Sequence, residues 1–179
     1  HKALIKMLHE TGCRAGEILN IRIKDLKVGD EFSTVRVDGK TGQRILPITQ
    51  SVAYVVRWLD VHPEKDNPES YLWLGENRNE EFKYKPLMHR GTQKMLDLSF
   101  SKAGVSKKHN MHWFRHSRAT INSRFMTEAV LCRFMGWSQG SKQVKRYVHM
   151  SDSTVIDVYN RNLGLKPKED DSLIKKMVR

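Results

Sequence analysis

The sequence has 179 residues, 39% of them hydrophobic and 29% charged, a balance that supports one folded domain with a core and excludes a disordered chain. No apolar run approaches the ~20 residues of a membrane span, and no signal-peptide pattern opens the chain. Thirty-two Lys and Arg against twenty Asp and Glu leave a net charge of +12, which points to a polyanionic partner, nucleic acid being the commonest.

The elements follow in order. Within HKALIKMLHE, Leu4, Ile5 and Leu8 recur at helical spacing. Gly12 breaks this helix, and TGCRAGEIL opens a second one that is expected to run to about Asp25. Ala3, Leu4, Met7 and Leu8 are expected to pack against Ile18, Leu19 and Ile21. FSTVRVDG and QRILPI then alternate apolar and polar residues around DGKTG, which predicts an antiparallel hairpin with a loop slightly longer than two residues. Thr49 is placed to cap a helix through SVAYVVRWLDVH, ending before Pro63. The polar loop HPEKDNPES leads to a short apolar segment, YLWLG. Further helices are predicted over about 86–103, 111–124, TEAVLCRFMG up to Gly136, 143–147 and 152–162. The tail LKPKEDDSLIKKMVR is charged, with a small amphipathic patch near its end. The fold class is mainly α with a small antiparallel β-hairpin, and residues 1–164 form one domain followed by a charged tail, 165–179. Cys13 and Cys132 are far apart and form no CxxC pair, which fits a reducing, cytoplasmic setting. A chain opening at His1 reads as a domain cut from a longer protein.

One stretch carries most of the chemistry. HNMHWFRHSRAT holds three histidines and two arginines in twelve residues. His109, His112 and His116 have a spacing that suggests a metal, but no acidic ligand stands among them, and the flanking Arg115 and Arg118 disfavour a divalent ion. A phosphate explains both residue types, because His112 and Arg115 both donate hydrogen bonds to phosphoryl oxygens and arginine adds a planar, permanent charge. Neither a metal nor a cofactor is expected.

Three more segments join it: TGCRAGEILNIRIKDL with Arg14 and Glu17, VDGKTGQRILPI with Lys40 at the hairpin tip, and MGWSQGSKQVKRYVH with Trp137 and Tyr147. This order of Arg, Lys, His-x-x-Arg, Trp and Tyr resembles the catalytic domain of the tyrosine recombinases, the phage-integrase family, over nearly the whole chain. The resemblance implies the catalytic-domain fold of the DNA breaking–rejoining enzymes. It implies that Arg14 and Arg115 grip the scissile phosphate, that Lys40 protonates the departing 5′ oxygen and that His112 belongs to the His-x-x-Arg box. Tyr147 matches the nucleophile that forms a 3′-phosphotyrosyl link. Trp137 stands where many members have a second His, and Glu17 falls at an acidic position that orients Arg14. Double-stranded DNA, a tetrameric synapse and a prokaryotic, viral or mobile-element setting follow from the same resemblance, as does an N-terminal DNA-clamping domain that does not precede His1 here.

Elementary chemistry supports this set. Only ~0.1% of an ordinary tyrosine is phenolate at pH 7, so attack needs a proton acceptor and a positive field. His112 can supply the first and the two arginines the second. Lys24, Arg44, Arg90, Lys94, Arg118, Lys142, Lys145 and Arg146 are expected to contact DNA phosphates, and His116 to fix its helix. Alternatives stand beside the main reading: Tyr159 as nucleophile, Arg44 or Lys24 in the role of Lys40, a type IB topoisomerase, a metal-dependent nuclease, or a catalytically silent DNA binder on the same fold.

Overall fold

The computed structural model describes residues 1–76, 84–106 and 110–147, and beyond these 156, 159, 160 and 163–165. His109, the tail from residue 166 and most of the helix expected over 152–162 lie outside the described residues. The chain divides into two units, His1–Tyr147 and Val148–Arg179.

Helix α1 (Lys2–Thr11) buries Ala3, Leu4, Met7, Leu8 and Thr11, and Gly12 ends it at φ 58°, a left-handed conformation in which glycine carries no side-chain penalty. The second helix is shorter than expected. Helix α2 spans only Ala15–Leu19, and the chain then turns through a 3-10 segment at Ile23–Asp25. The reason is local: Asp25 turns back to accept the Arg22 backbone N–H at 2.9 Å, starting a new turn instead of continuing the old one.

Three strands follow, β1 (Leu26–Lys27), β2 (Ser33–Gly39) and β3 (Gly42–Ile48), in an antiparallel sheet of order β1-β2-β3. Gly39 pairs with Gly42, so the loop is Lys40 and Thr41 alone, tighter than expected. Side chains alternate between faces. Val35, Val37, Leu46 and Ile48 point into the core, and Arg44 shares their face on β3.

Helix α3 (Val52–Asp60) is not capped by Thr49. Glu10, at the end of α1, takes that role: its carboxylate accepts the backbone N–H groups of Thr49, Gln50 and Ser51 at 2.7–2.9 Å and the Ser51 hydroxyl at 2.6 Å. A negative charge at a helix N-terminus satisfies the free donors and meets the positive end of the helix dipole. Trp58 Nε1 donates to Leu72 O at 2.7 Å, holding α3 to the segment that leads into β4 (Leu74–Glu76). The expected helix from Pro86 begins instead as strand β5 (Tyr84–Pro86), paired with β4, and turns helical only at α4 (His89–Lys102). Helices α5 (Met111–Asn122) and α6 (Glu128–Met135) complete this unit, with a 3-10 turn at Val144–Arg146 before Tyr147.

Helix α1 is the central pillar, packing on α3, α5 and β3. Its apolar face joins Ile18, Leu19, Ile21, Val35, Leu46, Val55, Leu72 and Leu96 in one core. Each fully buried side chain of this size contributes roughly 1.5–3 kcal/mol. Among the described residues no helix is long and apolar enough to cross a membrane.

Candidate active site

The basic residues come together where α2, the β2–β3 turn, α5 and the end of α6 meet. Arg14 immediately precedes α2 and is half-buried. Its Nη1 donates to Glu17 Oε1 at 2.6 Å, and its Nη2 donates to Gly136 O at 2.7 Å. Glu17, only 4% exposed, also accepts the Arg14 backbone N–H at 2.8 Å. Burial pushes its carboxyl upward, but the hydrogen bonds and charge of Arg44 and the donors of Arg14 prevail and bring it down to about 2.

Arg44 corrects the sequence reading. Expected on DNA, it is 4% exposed; Nη1 and Nη2 donate to the two Glu17 oxygens at 2.9 and 2.8 Å, and Nε donates to Phe134 O at 2.9 Å. It is an internal strut. The signal was present in the sequence, since 44, 46 and 48 share one face of a strand whose other members are Leu and Ile.

On α5 the buried stripe is Met111, Arg115, Ala119 and Asn122. Asn110 starts the helix by accepting the Trp113 N–H at 3.0 Å. Arg115 is 6% exposed, and its fork donates to Gly12 O at 3.0 Å and to Met135 O at 2.5 Å. Burial and the nearby charge of Arg14 lower its pKa to about 10, which still leaves it charged at neutral pH. One residue around the helix, His112 and His116 form a second stripe with ring centroids 4.3 Å apart and Nε2 atoms 2.7 Å apart.

The Gly136 turn brings Trp137 over the site. Its ring lies 5.4 Å from Arg115 Cζ and stacks on Tyr147 with centroids 5.5 Å apart and planes at 14°. The Tyr147 hydroxyl meets Nδ1 of His116. Burial raises the Tyr147 pKa, while the charges of Arg115 and Arg146 pull the other way. Burial, then His112, Arg115 and Arg146, lower that of His116. Lys40 stands exposed at the hairpin tip. Its neighbour Thr41, which sequence reading missed, donates to the same Gly136 carbonyl that holds Arg14, at 3.2 Å.

Thus Arg14, Glu17, Arg115, His116, Trp137 and Tyr147 form one connected cluster, with Lys40 at a turn tied to it. His112 joins through His116. A cleft of about 430 Å³ opens here, lined by Cys13, Arg14, His112 and Arg115 and, unexpectedly, by His89 and Gln93 of α4. Arg90, Lys94, Lys142, Lys145 and Arg146 are exposed. Two other expected DNA contacts are engaged elsewhere: Lys24 pairs with Glu69 at 2.6 Å, and Arg118 Nε donates to His9 O at 2.7 Å. Tyr159, the alternative nucleophile, is 64% exposed and belongs to the second unit. Among the described residues no three His, Cys, Asp or Glu side chains are placed to hold a metal ion.

Comparison with known proteins gives a consistent result. Residues 1–154 match the family model described as the phage integrase family. Tyrosine recombinase XerD of Staphylococcus saprophyticus is 26% identical over 164 residues, covering 89% of this chain and 53% of that protein. Tyrosine recombinase XerA of Pyrococcus horikoshii is 32% identical over 121 residues, covering 66% and 39%. The chain therefore spans about half the length, or less, of these curated relatives. Among solved structures, the XerA recombinase superposes with a TM-score of 0.66 at 23% identity, covering 89% of this chain and 55% of that one. XerH in a pre-cleavage complex with its difH substrate gives 0.63 at 22% identity, covering 88% and 45%. These last two establish the shared fold.

Proposed function

Because this chain belongs to the phage integrase family, we propose that it is the catalytic part of a tyrosine-type site-specific recombinase, cutting and rejoining DNA through a 3′-phosphotyrosyl intermediate. One observation carries the reading: the Tyr147 hydroxyl meets His116, and its ring stacks on Trp137, which lies over Arg115, an arginine that backbone carbonyls hold in place as they do Arg14.

In this mechanism Arg14 and Arg115 receive the nonbridging oxygens of the scissile phosphate. Their guanidiniums are oriented before DNA arrives, so little reorganisation accompanies charge development in the transition state. Tyr147 attacks phosphorus in line with the 5′ oxygen, its proton passing to an imidazole of α5. Lys40, exposed on its turn, gives the leaving oxygen a proton once DNA is docked. Trp137 fixes the distance between Arg115 and Tyr147 by lying against both. Arg90, Lys94, Lys142, Lys145 and Arg146 supply sequence-neutral phosphate contacts. The relative XerH is described in a complex with its difH DNA, and a duplex attachment site is the corresponding substrate proposed here. Four protomers on two such sites, acting where the cell keeps its DNA in the cytoplasm, complete the proposal.

The test is covalent capture. The protein is incubated in EDTA with nicked duplexes of randomised sequence around the nick, then denatured in SDS. A protein–DNA band that maps to Tyr147 and vanishes in Tyr147→Phe is the expected result. A band that requires a divalent ion, or one mapped to Tyr159, would refute the assignment. Plasmid relaxation with no exchange between two sites would favour a topoisomerase.

A further inference from the structure

The sequence assigns the proton acceptor to His112, the histidine of the His-x-x-Arg box. The geometry points elsewhere. Among the described residues the Tyr147 hydroxyl has one polar partner, His116 Nδ1, and the other nitrogen of that ring faces His112 Nε2 at 2.7 Å. We propose that His116 is the catalytic residue that accepts the Tyr147 phenol proton, and that His112 carries this proton on to the cleft that holds the phosphate. The proposal rests on the strand-cleavage reading above and names the base within it.

A single tautomer assignment satisfies every contact. A phenol is a good donor, so Tyr147 O–H points at a bare His116 Nδ1. The His116 proton then sits on Nε2 and points at a bare His112 Nε2, leaving His112 Nδ1–H outward. Both rings are neutral in this state. His112 is exposed and lines the cleft together with Arg14 and Arg115, so the relay runs from a half-buried hydroxyl to the place where the phosphate binds.

The step balances. The phenol O–H bond breaks, its electron pair stays on oxygen, and the proton bonds to His116 Nδ1. The phenolate oxygen bonds to phosphorus as the bond from phosphorus to the 5′ oxygen breaks. The departing oxygen keeps that electron pair and takes a proton from Lys40 Nζ. His116, now an imidazolium, releases its Nε2 proton to His112. Rejoining runs the same path backwards, and the proton returns to Tyr147.

The charged and titratable groups facing His116 are His112 and Arg115 on α5 and Arg146 and Tyr147 at the 3-10 turn. Burial and the positive groups keep its pKa below the ordinary 6.5. It therefore remains an acceptor at neutral pH and loses that capacity only as the pH falls below this range.

The experiment compares wild type, His116→Ala, His116→Asn and His112→Ala in covalent capture on the same nicked duplexes, from pH 5 to 9, with and without added imidazole. Loss of a positioned base lowers the rate by roughly 10²–10⁴-fold. His116→Ala and His116→Asn should fall in this range and lose the acidic limb of the pH profile, and imidazole should restore part of the rate to His116→Ala. His112→Ala should keep the acidic limb and lose less. An acidic limb that survives in His116→Ala, or imidazole rescue of His112→Ala alone, overturns the proposal. Equal loss in both His116 variants without any rescue makes the residue structural and overturns it too. A second readout needs no cleavage: in wild type labelled with ¹³Cζ-tyrosine, the Tyr147 resonance should follow an imidazole titration that disappears in His116→Asn. If no Tyr147 adduct forms but this coupling is present, the strand-cleavage reading falls and the His116–Tyr147 contact stands; if the adduct forms and the coupling is absent, only the relay is refuted.

Discussion

Replacing Glu17 by Gln tests the buried frame under the two arginines. The carboxylate accepts from Arg14 N, Arg14 Nη1 and both terminal nitrogens of Arg44 at 2.6–2.9 Å, and Glu17 and Arg44 are each 4% exposed. An amide of the same shape removes the charge and turns an N–H group towards guanidinium donors. Breaking one side of a buried pair costs about 3–5 kcal/mol, because the remaining charge has no compensation. Linkage gives a similar figure: a carboxyl brought from 4.5 down to about 2 represents about 3 kcal/mol at neutral pH. The sign follows from the lowered pKa. This contribution is complete above about pH 4.5 and disappears as the pH falls through about 2. Urea unfolding followed by tryptophan fluorescence measures it at pH 7 and pH 3. The gap between wild type and Glu17→Gln should be about 3–5 kcal/mol at pH 7 and visibly smaller at pH 3. Adding Arg44→Met should recover part of the loss, since it removes the buried guanidinium charge that Glu17→Gln leaves uncompensated. A gap below about 1 kcal/mol at pH 7, or one that does not change with pH, would refute the account.

Arg115→Lys keeps the charge but not the fork that reaches Gly12 O and Met135 O. Stability should fall by roughly 1–3 kcal/mol and the capture rate by about 10²–10³-fold; a variant with near wild-type rate would show that the fork is dispensable. Gly136→Ala places a methyl 2.7 Å from Arg44 Nη1 and 3.2 Å from Arg14 Nη1 at φ +64°, so both melting temperature and capture should drop. Gly104→Ala, at φ +69° with nothing within 4 Å, should lower only the melting temperature, by the strain of ~1–2 kcal/mol alone. Glu10→Gln weakens the start of α3 by roughly 1–3 kcal/mol. Burial raises the Glu10 pKa, but Ser51, Gln50 and Thr49 lower it overall, so this contribution is present above 4.5 and fades in acid; unfolding curves at two pH values check it.

The parts visible in the sequence were those with a period. Leu4, Met7 and Leu8 announced the core face of α1, and the alternation in VRVDG and RILPI announced β2 and β3. Arg115 stands out with His112 as a pair of types suited to a phosphate, whereas Arg14, Lys40 and Tyr147 are singled out by the resemblance to the tyrosine recombinases. Strands of two or three residues, such as Leu26–Lys27 and Tyr84–Pro86, carry no readable period and exist because a partner strand is in reach. Glu10 caps a helix that begins some forty residues later, a contact fixed by the packing of α1 and invisible in local patterns. His116 shows the same limit. Its stripe with His112 is legible at i, i+4, but the hydroxyl it meets lies 31 residues away and enters only through the turn at Gly136.

That turn also restricts how this segment can change. The last carbonyls of α6 and its turn, on Phe134, Met135 and Gly136, accept from Arg44, Arg115 and Arg14 respectively. They are the unsatisfied, negative end of a helix, and each is matched to a different cation. A residue inserted between Thr127 and Gly136 would rotate this end by about 100° and release all three arginines in one step. Side chains on the outer surface, such as Val130 at 51% exposure, can change without touching them. The segment from Thr127 to Gly136 should therefore tolerate substitution freely on its outer face and gaps nowhere, behaving as a spacer of fixed length.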